Sequence, residues 1–221
     1  METLLSYNFD NIILSKPKKY TEYLVSKVKY KNEENIEDLI VQFPKMLLSE
    51  DPSQKSIELE FVNTKGYNKE IYNFLRKLDS FIVNKVHTSS EEWFEKVIPI
   101  DSIKKMYNSF IKAPKTSESK CTLNFGIKIH KNEIKSIFID KKCNEIDFSQ
   151  FNKNEIVECI AQFKYIFFSK DTCFAAWELI SAKLHKKTQK VPKFGFIDDP
   201  DDIQKCESDD DDDGEIFTNF F

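Results

Sequence analysis

The chain reads as mainly β: an antiparallel barrel with an inserted helical segment and a disordered acidic C-terminal tail. Three observations predict this class. Short runs rich in β-branched and aromatic residues recur in the first and last thirds, separated by turn chemistry. Between them the apolar period changes from two residues to about 3.6. Beyond Pro192 the apolar pattern dissolves into a run of aspartates. The 221 residues suit one sizeable domain with extensions. The boundaries are set at 1–192 for the barrel domain, about 67–111 for the helical insertion and 193–221 for the tail.

Each element follows from its pattern. "FDNIIL" (9–14), "YLVSKVKY" (23–30), "DLIVQF" (38–43) and "SIELEFV" (56–62) read as strands, with "SKPKK", "KNEEN" and "LSEDPSQK" as the connections. In "SIELEF", Ile57, Leu59 and Phe61 share one face and Ser56, Glu58 and Glu60 the other, the alternation of a half-buried antiparallel strand. Ile71, Phe74, Leu75, Leu78, Phe81 and Ile82 then fall on the stripe of a helix of about four turns or more, with Asn68 placed to cap it. A second helix is expected at 101–111, capped by Asp101 and burying Ile103, Met106, Tyr107 and Phe110. "TLNFGIKIH" (122–130) and "SIFID" (136–140) read as a hairpin around "KNEIK". Two longer strands follow at 155–169 and 173–187, joined at "KDT". Regular short strands of this number suit a closed or nearly closed barrel.

Charge divides the chain. From Asp198 onward there are eleven acidic residues against one lysine, a net of −10; residues 1–197 carry 32 basic and 26 acidic residues, a net of +6. A mildly basic body with a strongly acidic end points to a polyanionic partner and an internal competitor for it. Arg76 is the only arginine among the 33 basic residues. Lysine is a flexible point charge, suited to following phosphates and poorly suited to bidentate base readout.

Catalysis finds little footing. His87, His130 and His185 sit in unrelated segments without metal-ligand spacing, and four glycines leave no phosphate-cradling loop or nucleophile elbow. The five cysteines show no CxxC spacing and read as reduced thiols. No enzyme activity and no cofactor are expected. No apolar run is long enough to span a bilayer and the N-terminus lacks the order of a secretory signal, so the expectation is an intracellular protein with no membrane partner.

Binding is better supported. Single-stranded nucleic acid needs a basic groove for phosphates and flat rings on which bases stack. "QFKYIFF" places Phe163, Tyr165 and Phe167 on one face of a regular strand and Lys164, Ile166 and Phe168 on the other; "AAWELISAKLHKK" sets Trp177 in line with Lys183. With aromatic residues on both faces, some rings must point outward.

These residues also carry a family likeness. "QFPKM" (42–46), "EWFEKVIPIDSIKKMYNSFIK" (92–112), "VECIAQFKYIFFSKDTCFAAWEL" (157–179) and the acidic tail occur in the order seen in one group. The chain resembles the single-stranded DNA-binding proteins of nucleocytoplasmic large DNA viruses, themselves similar to the acidic-tailed ssDNA-binding protein of short-tailed coliphages. Two positions differ from the pattern: Ala175–Ala176 stand where a glycine precedes the tryptophan, and Phe43 where a small hydroxyl residue is usual. The resemblance implies an OB-fold barrel, sequence-independent ssDNA binding and a part in viral DNA replication, recombination and repair at intracellular replication sites. It also implies homodimers and tail contacts with replication proteins such as a polymerase, helicase or primase. The stacking contacts expected are Trp93, Tyr107, Tyr165, Phe167 and Trp177, and the phosphate contacts Lys45, Lys55, Lys128, Lys164 and Lys183.

The tail fits this reading. Asp209, Asp210, Asp211, Asp212 and Asp213 can compete for a basic groove by the same screened attraction that draws DNA. When DNA displaces them, Phe217, Phe220 and Phe221 become apolar anchors for a partner. Two other classes stay open at this point. One is an acidic-tailed interaction protein for basic partners such as histones or capsid proteins, without nucleic-acid binding. The other is a metal-dependent nuclease.

Overall fold

In the computed structural model, which describes residues 7–33, 35–53, 55–63, 65–114 and 120–185, the first strands form a long hairpin. β1 (Ile12–Leu14) and β2 (Lys18–Tyr20) both lie antiparallel to β3 (Tyr23–Asn32), with Ile12 opposite Tyr30 and Tyr20 opposite Tyr23. "SKPKK" is therefore not the turn. The chain runs through it while the register slips by one residue between Leu14 and Lys18. Pro17 has no N–H to give a ladder, and an edge-strand irregularity is where a sheet accepts it. The turn comes at Thr21–Glu22, where Thr21 takes a left-handed φ of 47°. β4 (Asn35–Glu37) folds back on the far end of β3.

The barrel follows. β5 (Leu39–Gln42), β6 (Met46–Leu48) and β7 (Ser56–Phe61) precede the helical insertion of α1 (Gly66–Thr88), α2 (Ser90–Phe94) and α3 (Ile100–Met106). After it come β8 (Tyr107–Asn108), β9 (Thr122–Ile127), the small pair β10 (Ile129–His130) and β11 (Glu133–Ile134), then β12 (Ile137–Ile139), β13 (Ile156–Phe168) and β14 (Cys173–His185). Five strands close a ring: β6 pairs β7, β7 pairs β9, β9 pairs β14, β14 pairs β13, and β13 returns to β6. The β9–β14 pair is parallel and the others antiparallel. That is a mainly β, OB-fold-like barrel with a helical insertion. The residues filling the ring include Ile57, Leu59, Phe125, Phe163 and Leu179 of its strands and Phe43 from the link between β5 and β6, all fully buried. The hairpin of β1–β3 lies outside the ring, attached through Leu24–Lys27 to Tyr165–Phe168 of β13.

α1 forms as its period demands. Ile71, Phe74, Leu75, Leu78 and Ile82 are buried, and each such side chain contributes about 1.5–3 kcal/mol on leaving water. Its start differs from expectation. The helix opens at Gly66 after an extended Lys65, so Asn68 lies inside the first turn and caps nothing. Asp101 likewise sits within α3, whose cap position is Pro99. α3 ends at Met106, where Tyr107 turns extended to pair with Cys173 of β14, and Phe110 is buried from a loop.

Buried Asp79 of α1 explains that early end. Its carboxylate accepts hydrogen bonds from Tyr107 Oη (2.8 Å), Ser109 Oγ and the Phe110 backbone N–H (3.3 Å), clasping the loop after α3 to the helix. The expected hairpin of 122–130 with 136–140 forms only at its tip, where Ile129 and His130 lie opposite Ile134 and Glu133. β12 instead runs parallel to β14, Ile137 opposite Ser181 and Ile139 opposite Lys183.

All described residues belong to one compact unit, 1–187. The acidic run Asp209–Asp213, Phe217, Phe220 and Phe221 lie outside the described residues.

Candidate nucleic-acid interface

A bulge in β13 decides which aromatic rings face outward. Phe163 stands opposite Trp177 and Tyr165 opposite Ala176, so Lys164 is an extra residue in the register. A bulge of this kind re-aims the side chains beyond it. Phe163 points into the barrel and stacks on Trp177 with centroids 5.2 Å apart; Ile166 and Phe168 are buried too. Tyr165 and Phe167 are turned to the outer face and half-exposed. Regular alternation would have kept Phe163, Tyr165 and Phe167 together; the extra residue parts Phe163 from the other two.

The outer face gathers rings from four strands. Phe167 stacks on Phe174 of β14, centroids 5.1 Å apart and 15° between planes. Tyr23 meets both edge-on, at 6.1 Å from Phe167 and 6.2 Å from Phe174, and Tyr165 lies 5.8 Å from Phe167. Tyr20, opposite Tyr23 across the hairpin turn, is 61% exposed. Between the hairpin and β13 runs a groove of about 550 Å³, lined by Lys18, Tyr20, Tyr23, Lys27, Tyr165 and Phe167 among others. Lys18 sits opposite Val25, and Lys27 opposite Tyr165, so both ammonium groups rise from the same side of the sheet as the rings.

These two lysines are exposed, and no carboxylate pairs with either among the described residues. Others are neutralised. Lys29 pairs with Asp38 at 2.6 Å, Lys112 with Glu58 at 2.9 Å and Lys164 with Glu178 at 2.8 Å. The outward face of β7 carries Glu60 beside the Lys112–Glu58 pair and holds no unpaired lysine. Positive charge and flat rings therefore coincide on the hairpin side of the barrel.

Of the residues expected from the sequence, Tyr165 and Phe167 are brought together in the groove. Trp93 and Trp177 are core rings, 8% and 4% exposed, and present no open face for stacking. Tyr107 is held by Asp79, and its hydroxyl is pushed well above the ordinary tyrosine range by burial and by that carboxylate. Lys164 borders the site, its Nζ 5.3 Å from the Tyr165 ring centroid while bonded to Glu178. Lys45, Lys55 and Lys128 are exposed but line no part of the groove. Lys183 is half-buried on β14, with its Nζ 3.5 Å from Cys143 Sγ.

Lys18, Tyr20, Tyr23, Lys27 and Phe174 were not among the expected contacts. A signal for part of them lies in β3. Tyr23, Val25, Lys27, Lys29 and Lys31 alternate with Leu24, Ser26, Val28 and Tyr30, a strand with an apolar inner face and a lysine-bearing outer one.

Other chemistry is sparse. Among the described residues no group of three or more His, Cys, Asp or Glu side chains is placed to hold a metal ion. His87 Nδ1 lies 2.8 Å from the Ile98 carbonyl and His185 Nε2 3.2 Å from Glu158. No described helix is long and apolar enough to cross a membrane.

Comparison with solved structures finds likenesses of fold. The single-stranded DNA-binding protein gp2.5 encoded by bacteriophage T7 is similar at a TM-score of 0.49 and 8% identity, covering 72% of this chain and 98% of that one. The C-terminally truncated single-stranded DNA-binding protein from bacteriophage Enc34 gives 0.39 and 13%, covering 81% and 97%. The Enc34 protein in complex with ssDNA gives 0.38 and 13%, covering 79% and 96%. Likeness at these scores carries no weight for function. No curated protein matches the chain. A family model does match, over residues 47–198, which takes in the barrel from β6 to β14 and leaves the β1–β3 hairpin outside. With more than half its length matched, the chain belongs to the family of unknown function DUF5871.

Proposed function

We propose that the protein binds single-stranded DNA along the groove between the hairpin and β13, without strong sequence preference and without catalysis. The observation that carries this is the coincidence of four outward rings, Tyr20, Tyr23, Tyr165 and Phe167, with the unpaired Lys18 and Lys27 in one groove. Bases stack on rings of this kind with about 1–3 kcal/mol each, whatever their identity, because every base has a π-face. Lysines beside the rings neutralise phosphates and release counterions. The sequence resemblance supports the same reading and extends it to viral DNA replication, recombination and repair.

The acidic tail acts, on this proposal, as a competitor for the same cationic groove. DNA displaces it, and Phe217, Phe220 and Phe221 then recruit replication proteins. Binding of a fluorescent dT oligomer to full-length protein and to a chain lacking residues 198–221 tests both parts. Tighter binding by the truncated chain, most clearly at low salt, is expected. If neither form binds the oligomer, the competing reading stands: an interaction protein whose net −10 tail binds basic proteins.

A further inference from the structure

Beyond Phe174 the groove meets a second depression of about 330 Å³, built differently from the first. Its walls include Asn108, Ser109, Asn124, Gly126, Ala175 and Ala176, and Phe174 borders it. Because Phe174 stacks on Phe167, one continuous ring surface leads from the groove to its rim. Asn108 is aligned with Phe174 across the β8–β14 pair, and Gly126 with Glu178 across β9–β14.

The depression has no free charge. Lys112 at its border is paired with Glu58 at 2.9 Å, and Glu178 beside Gly126 is held by Lys164 at 2.8 Å. A phosphate gains nothing from such a place. What it offers is amides and space. The side chains of Asn108 and Asn124 are exposed and have no hydrogen-bond partner among the described residues. An amide gives a donor and an acceptor together, the complement of a base edge. Trp177 also lines the depression; it is 4% exposed, and its Nε1–H is covered and has no acceptor. Small side chains at Ala175 and Ala176 and none at Gly126 keep the volume open. A Cβ at Gly126 would meet the Trp177 carbonyl at an ordinary 3.6 Å, so the residue tolerates replacement while larger groups grow into the cavity.

We propose that this depression is a nucleobase subsite, which takes one unstacked base from the strand lying on the aromatic groove and reads its edge through Asn108 and Asn124. This rests on the reading of the groove as a single-strand site. It makes the protein's affinity depend mildly on base identity at one position. It also favours single strands over duplex, whose base edges are already paired.

The test measures anisotropy of labelled dT, dC and dA oligomers at several salt concentrations, using the full chain. For N108A/N124A, each lost amide is expected to lower affinity about 2- to 10-fold, the size of one net hydrogen bond. The ranking of the three oligomers changes and the salt slope stays at the wild-type value. A second variant, Gly126→Val, fills the cavity with a side chain suited to a strand. It gives the same signature, with an unchanged melting temperature as the control for folding. The subsite is overturned if both variants bind all three oligomers like wild type, or if their losses come with a reduced salt slope. Failure of the wild-type protein to bind any oligomer overturns the groove reading itself, and the subsite with it.

Discussion

Tyr20 sits at the tip of the hairpin with 61% of its surface exposed, next to a turn that needs Thr21 in a left-handed conformation. An aromatic ring held this far into water contributes little to folding. Its replacement by alanine is therefore expected to leave the melting temperature unchanged and to weaken binding of dT oligomers by about 1–3 kcal/mol, the worth of one base stack. Fluorescence titration together with a thermal melt checks both halves. Asp79 is the opposite case. It touches no groove residue, yet holds Tyr107, Ser109 and Phe110, and Phe110 packs at 5.3 Å on Phe163 inside the barrel. Asp79→Ala leaves buried donors unsatisfied at about 1–3 kcal/mol each, measurable by urea unfolding. Tyr107 adds a pH signature. Its hydroxyl is raised above 10 in the folded state, so the unfolded chain loses that proton first as pH rises. Stability from this group is full below pH 10 and drains away above it; Tyr107→Phe flattens that alkaline decline in pH-dependent unfolding.

At the scale of elements, what was legible in the sequence was whatever had a long period. α1 and the long strands β13 and β14 carry ten or more residues of consistent pattern, and they form within a few residues of expectation. The bulge at Lys164 was not legible, because Phe163, Tyr165 and Phe167 satisfy an unbroken alternation equally well. Only the ring closure, which needs Phe163 against Trp177 inside the barrel, shows that the face must switch there. Trp93 is buried from the short helix α2, and Trp177 is a core ring for the same reason as Phe163. A strand's pattern says that two faces differ, and the tertiary arrangement says which of them is the core. β12 went to a parallel partner 44 residues away in register, Ile137 to Ser181, where adjacency suggested a hairpin with β9. The residues of β1 and β3 read as strand from their pattern, yet their role as the wall of a groove depends on docking to β13. An element-scale consequence follows: displacing β2, which carries Lys18 and Tyr20, weakens binding without touching the barrel. Deleting the turn residues Thr21 and Glu22 is expected to weaken oligomer binding while near-ultraviolet circular dichroism from the buried Trp93 and Trp177 persists.

Over the whole molecule, charge is arranged by face. The hairpin side presents Lys18 and Lys27 unpaired, the β7 side presents Glu60 and the Lys112–Glu58 pair, and the chain's final segment carries −10 against +6 for the rest. A polyanion is drawn to unpaired lysines such as these, and the attraction is screened by salt. Affinity on this account is therefore divided between a salt-sensitive part, from the lysines, and a salt-insensitive part, from ring stacking. The most direct test is the slope of log affinity against log salt for a dT oligomer, compared between wild type and the Lys18→Ala/Lys27→Ala double variant. Each phosphate contact on a single strand contributes about 0.7 to that slope, so the double variant is expected to bind more weakly with a slope about 1.4 shallower. An unchanged slope would contradict the assignment of these two lysines, and with it the groove between the hairpin and β13 as the path of the strand.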